Sequence, residues 1–141
     1  MGVYMKFISV VVLFSQLAFA HPGSQFMGKW EAENVLHGQG VDFQLSFEFS
    51  FEFTKLEMTM NVQCHFYDGA YLETSSAVNV DYNGSLIYIR SQQETVAHDG
   101  YHFCRSTLRP SVWTAHMNGY GRMILHVPVP YQERFRLVKV Y

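Results

Sequence analysis

Between Phe43 and Phe66 the chain keeps a period of two that no helix can satisfy. Phe43, Leu45, Phe47, Phe49, Phe51 and Phe53 interleave with Gln44, Ser46, Glu48, Ser50, Glu52 and Thr54, after which the apolar set becomes Leu56, Met58, Met60, Val62, Cys64 and Phe66. Successive side chains of a strand point to opposite faces, so the pattern demands two long strands, each with one apolar and one polar face. A hairpin through Thr54-Lys55 accounts for the change of parity. It pairs Phe53 with Leu56, Phe51 with Met58 and Phe49 with Met60, and it sets Glu52 opposite Glu57. A bulge that bends one long strand is the alternative.

Turn dipeptides divide the rest at short intervals: Asp68-Gly69, Asn83-Gly84, Asp99-Gly100 and Asn118-Gly119. Each accommodates the positive φ angles of tight hairpins. Around Asn83-Gly84 the register places Val78, Val80 and Tyr82 on the face of Ser85, Ile87 and Ile89. Around Asn118-Gly119 it sets Ala115 against Arg122 and Trp113 against Ile124. Pro110 falls between strands, and Pro128 and Pro130 end the penultimate one. Strands are expected over 26–36, 41–53, 56–67, 70–82, 85–92, 94–98, 101–109, 112–117, 120–127 and 133–140. Hairpin-linked antiparallel strands avoid exposed edges by closing, so the expected fold is all-β, an antiparallel up-and-down β-barrel of eight to ten strands.

Residues 1–20 read as an export signal: Lys6 supplies the positive charge, Phe7–Phe14 the apolar run, and Ala18-Phe19-Ala20 the small residues a signal peptidase needs. Residues 21–141 then form one domain. In an oxidising compartment Cys64 and Cys104 are expected to pair, which the chain-entropy argument values at roughly 4 kcal/mol. A thiolate site using Cys64 with His65 and Cys104 with His102 is the weaker reading. The chain has 10 Lys and Arg against 12 Asp and Glu, and loss of Lys6 makes it more acidic. A nucleic-acid partner is therefore not expected, for want of a basic field.

Phe26-Met27-Gly28-Lys29-Trp30 opens the domain, and this Gly-x-Trp at the start of the first strand resembles the opening of lipocalins and related calycin barrels. The resemblance implies that Trp30 plugs one end of the barrel beneath a basic side chain of the last strand, for which 133–140 offers Arg134 or Arg136. In size the domain is nearer the compact calycins: intracellular fatty-acid binders, avidins, and small periplasmic protease inhibitors with one disulfide.

Trp30, Phe43, Phe47, Phe49, Phe51, Met58 and Met60 are the candidate wall of a cavity for a small hydrophobic molecule, since the inward face of such a barrel is both core and ligand wall. Two other readings stand beside this one. In an outer-membrane barrel the alternation is inverted, with Phe and Met facing lipid and Gln44, Glu48, Lys55 and Asn61 lining the interior. In a protease inhibitor with a protein partner, His21–Phe26 extends from the barrel as a free arm. Seven histidines occur: His21, His37, His65, His98, His102, His116 and His126. Cleavage after Ala20 would leave His21 with an amine and imidazole able to chelate copper. His98-Asp99-x-x-His102 spans a turn that brings its imidazoles together. Glu48, Glu52 and Glu57 belong to the polar face, and no nucleophile elbow, zinc helix or phosphate loop is present. No catalytic residue, metal or cofactor is assigned from the sequence.

Overall fold

The computed structural model describes residues 23–141 apart from Tyr120 and Pro130. The export signal and His21 lie outside the described residues. Eleven strands follow a short 3-10 helix at Ser24–Phe26: β1 (Gly28–Ala32), β2 (Leu36–His37), β3 (Val41–Glu52), β4 (Lys55–Phe66), β5 (Tyr71–Asn83), β6 (Leu86–Ile89), β7 (Gln93–His98), β8 (Phe103–Leu108), β9 (Ser111–Met117), β10 (Arg122–Val127) and β11 (Glu133–Lys139). Eight of them close an antiparallel barrel in the order β1-β11-β10-β9-β6-β5-β4-β3, with β3 returning to β1 and β2 added beside β3. Strands β7 and β8 form a separate hairpin inserted between β6 and β9. The expected ten-strand meander thus becomes eight wall strands, the two-residue β2 and a hairpin outside the wall.

The apolar parity of each strand faces inward. Phe47, Phe49, Met58, Met60, Leu125 and Phe135 are buried to 1 % exposure or less, while Glu48, Glu52 and Lys55 are exposed. This orientation overturns the outer-membrane arrangement, which needs Phe and Met outside and Gln44, Glu48, Lys55 and Asn61 inside. Among the described residues no helix is long and apolar enough to cross a membrane.

The β3–β4 register differs from expectation by two residues. Phe51 faces Leu56, Phe49 faces Met58, Phe47 faces Met60, and the ladder runs unbroken from Val41↔Phe66 to Glu52↔Lys55. The two-residue loop is therefore Phe53-Thr54, with no bulge. The slip preserves the faces and replaces the Glu52–Glu57 opposition with Glu52–Lys55, a favourable pair. Its cost falls on Phe53, which sits 96 % exposed at φ 59°. Left-handed backbone is unfavourable for a residue with a Cβ, so Phe53→Asn is expected to stabilise the domain by about 0.5–1 kcal/mol. Equilibrium denaturation checks this, and a destabilised variant would contradict it.

The turn at Asn118-Gly119 is also corrected. Both Gly119 and Gly121 have positive φ, and the longer loop pairs Ala115 with Leu125 and His116 with Ile124. The expected Ala115–Arg122 and Trp113–Ile124 pairs had the wrong parity: Met123 and Leu125 point inward and Arg122 outward. At Asn83-Gly84 the register Tyr82↔Ile87 keeps Tyr82 and Ile87 on one face, as expected.

Two devices close the ends of the barrel. At one end the 3-10 helix buries Phe26 against Phe49 (5.8 Å) and Tyr82 (6.4 Å), so residues 24–26 are not the extended arm proposed for an inhibitor. Trp30 donates its indole N–H to the Phe26 carbonyl at 2.8 Å. Lys139 lies over its ring at 5.7 Å. Neither Arg134 nor Arg136 takes this role, because both lie on the outward parity of β11, whereas Lys139 shares the inward parity of Phe135 and Leu137 and is the register partner of Trp30. Gly28 has φ 110°, and a Cβ there would lie 2.2 Å from the Tyr141 carbonyl oxygen. That contact gives the Gly-x-Trp pattern a physical cause.

At the other end β3, β4 and β5 run beyond the level at which β6 and β9 stop, since β5 pairs with β6 only through Asp81–Asn83. The β7–β8 hairpin lies on the inner face of this extension. Cys104 is disulfide-bonded to Cys64 of β4, with Cα atoms 5.9 Å apart, which replaces the thiolate alternative. Ser106 Oγ donates to the Met60 carbonyl (3.2 Å), and Ser76 Oγ donates to the Ser106 carbonyl (2.9 Å) and lies 3.0 Å from Thr95 Oγ1. These buried hydroxyls are all satisfied, as burial requires.

Candidate functional site

Because Cys104 and Ser106 face β4, the alternate residues of β8, namely Phe103, Arg105 and Thr107, face away from it. They form one wall of an open-mouthed cavity of about 730 Å³. Val35, Leu36 and His37, Phe43 of β3 and Val62 of β4, and Tyr131 with Glu133 at the start of β11 complete the lining. The volume falls within the range of small-molecule pockets, and the lining mixes apolar side chains with the polar groups of His37, Arg105, Thr107, Tyr131 and Glu133.

Local sequence sets each wall. The short β2 folds back on β3 through Leu36↔Phe43 and His37↔Asp42. His37 Nδ1 lies 2.7 Å from Asp42 Oδ1, and Tyr67 donates its hydroxyl to the same oxygen at 2.9 Å. These two hydrogen bonds hold the Asp42 carboxyl below its ordinary range, His37 first and then Tyr67. Tyr131 packs against Phe135 (6.4 Å). Burial raises its phenol pKa, partly offset by a backbone hydrogen bond from Thr107, so Tyr131 is a neutral aromatic wall near neutral pH.

Of the residues anticipated as a ligand wall, Phe43 lines this cavity. Phe47, Phe49, Met58, Met60 and Trp30 are filled core, where Phe47 meets Trp113 (5.9 Å) and Phe135 (5.8 Å). Phe51 lies at the opposite end beside Tyr82 (6.3 Å). Sequence reasoning missed the residues that β2, β8 and the β10–β11 connection contribute. One signal was available: Thr74 and Ser76 break the apolar period of β5, and both are buried, because that face meets the hairpin rather than the core.

The tip of the hairpin is fastened beside the mouth. His102 lies between two carboxylates, with Nδ1 2.9 Å from Asp99 Oδ2 and Nε2 2.7 Å from Asp68 Oδ2, and its ring packs on Phe66 at 4.3 Å. Both ring nitrogens face acceptors, which only the imidazolium satisfies as a double donor. His98 instead packs on Phe103 (5.9 Å), so the two imidazoles of His98-x-x-x-His102 have separate partners. Asp99 and then Asp68 raise the His102 pKa. Asp99 is lowered to about 2, mainly by the backbone N–H groups of His102 and Tyr101, and Asp68 is lowered by the Ala70 N–H and then by His102.

Linkage defines the window in which this clasp stabilises the tip. The histidine contribution is complete below its ordinary value of 6.5 and is lost as pH rises through the elevated value. The aspartate contributions are complete above 3.8 and are lost as pH falls toward the depressed values. Amide exchange protection at 99–102 is therefore expected to be greatest between 3.8 and 6.5 and to fall on both sides. A flat profile would show that the clasp does not hold the tip.

Among the described residues no group of three His, Cys, Asp or Glu side chains is placed to hold a metal ion. No protein-family model matches this chain, and no curated protein or solved structure matches it.

Proposed function

We propose that this chain is an exported small β-barrel that binds a small apolar molecule, as the calycin barrels it resembles do. The open cavity between the disulfide-anchored hairpin and β2 carries this reading. The ligand occupies the Phe43 end, because the middle of the barrel is filled by Phe47, Met58, Met60 and Trp113. The signal-like residues 1–20 and a disulfide suited to oxidising compartments support export.

A neutral naphthylamine probe is expected to gain fluorescence with the folded protein and to be displaced by hydrophobic competitors. Phe103 is 57 % exposed and lies outside the core, so Phe103→Ala should preserve the fold and weaken the probe by about tenfold. Absence of displaceable binding to folded protein would overturn the reading.

A further inference from the structure

The charged groups of the cavity are not equally compensated. Arg105 lines it, but its Nη1 is 2.8 Å from Glu94 Oε1, and Glu94 is not part of the lining. His37 is paired with Asp42 at 2.7 Å. Glu133 is different. It shares the inward parity of Phe135 and Leu137, and its described hydrogen bond is acceptance of the Arg134 backbone N–H at 3.2 Å. Among the described residues Glu133 has no ion pair. The neighbouring Arg134 and Arg136 lie on the outward parity of β11, and Arg136 approaches Glu33 at 3.9 Å.

An anionic head group entering this site would meet Glu133, and the charge of the Arg105 guanidinium is already partly neutralised by Glu94 at its Nη1. A cation meets an uncompensated carboxylate and the rings of Phe43, Phe103 and Tyr131, whose π faces attract positive charge. We propose that the ligand is a cationic amphiphile, an apolar body bearing a protonated amine or quaternary ammonium, with its charge at Glu133. This deepens the binding function above and rests on it.

Three naphthalene probes with a common body separate the possibilities: 1-naphthylmethylamine as the cation, 1-naphthylmethanol as the neutral compound and 1-naphthylacetate as the anion. Titration calorimetry and fluorescence with the full oxidised protein should show the amine binding about fivefold tighter than the alcohol, with the acetate weakest. Glu133→Gln should remove the advantage of the amine over the alcohol. Glu94→Gln, which releases Arg105, should weaken the amine and strengthen the acetate. Equal binding of amine and alcohol, tighter binding of acetate, or an amine preference that survives Glu133→Gln would overturn the charge assignment while leaving the cavity reading intact. Failure of all three probes to bind folded protein would overturn both.

Discussion

Phe47→Ala is expected to destabilise the domain by about 3–5 kcal/mol. Phe47 is fully buried on β3, and its ring packs T-shaped with Trp113 on β9 and tilted against Phe135 on β11. It therefore joins three strands of the wall across the barrel interior. Truncation removes the transferred surface and leaves a hole that a closed barrel cannot readily collapse, because every wall strand is hydrogen-bonded on both sides. For a domain of this size the loss corresponds to a fall in Tm on the order of 10–20 °C. Urea denaturation should show a lower midpoint at unchanged slope. A loss below about 1 kcal/mol, in the range of surface substitutions, would show that the ring does not sit in a packed core.

Reduction of Cys64–Cys104 has the second largest expected effect. The bridge spans 40 residues of sequence separation, so the chain-entropy argument puts its contribution at about 3–4 kcal/mol. The loss should be uneven. The wall keeps its ladders, whereas the hairpin loses its covalent tie to β4 and is left with noncovalent ones, among them the serine hydrogen bonds to β4 and β5 and the His102 clasp to Asp68. Exchange protection over 93–108 should therefore fall before that of β3, β4, β10 or β11, and probe binding should weaken with it, since β8 is a wall of the cavity. Both thiols should resist alkylation in the native oxidised protein and react after reduction. Rapid alkylation without reductant, or uniform loss of protection across the chain, would contradict this.

Periodicity alone carried the class of the fold. The alternation in β3 and β4 has one apolar parity per strand, and strands of that kind bury it by closing a sheet around it. Turn dipeptides set most hairpin positions, because Asp-Gly and Asn-Gly tolerate positive φ. They did not set loop length, which decides register. At Asn118 a longer loop reversed the parity of the pairing, and at Phe53 the chain accepts a strained turn residue in exchange for Glu52 opposite Lys55. Both outcomes depend on summed pairing along whole strands, which a dipeptide does not report.

The cavity was legible only in part. Phe43 could be placed on the cavity wall by its stripe, but the same stripe included Phe47, Phe49, Met58 and Met60, which became core. Spacing cannot separate the two fates, since inward-facing residues share one parity at every level of the barrel. The levels are distinguished by what lies opposite them, and that is set by a hairpin whose own sequence has the composition of another wall strand.

Local physics, acting through alternation and turn chemistry, was enough to determine an all-β antiparallel barrel and to make a Cys64–Cys104 bridge the expected pairing, whereas the burial of Phe and Met on the inner face was read from the structure. The tertiary structure alone decided that β7 and β8 leave the wall, that Lys139 rather than an arginine covers Trp30, and that Arg105, Glu133 and Tyr131 share a cavity. Those outcomes join residues far apart in sequence, where no local pattern carries information and the balance of closure, packing and polar satisfaction over the whole chain selects the partner.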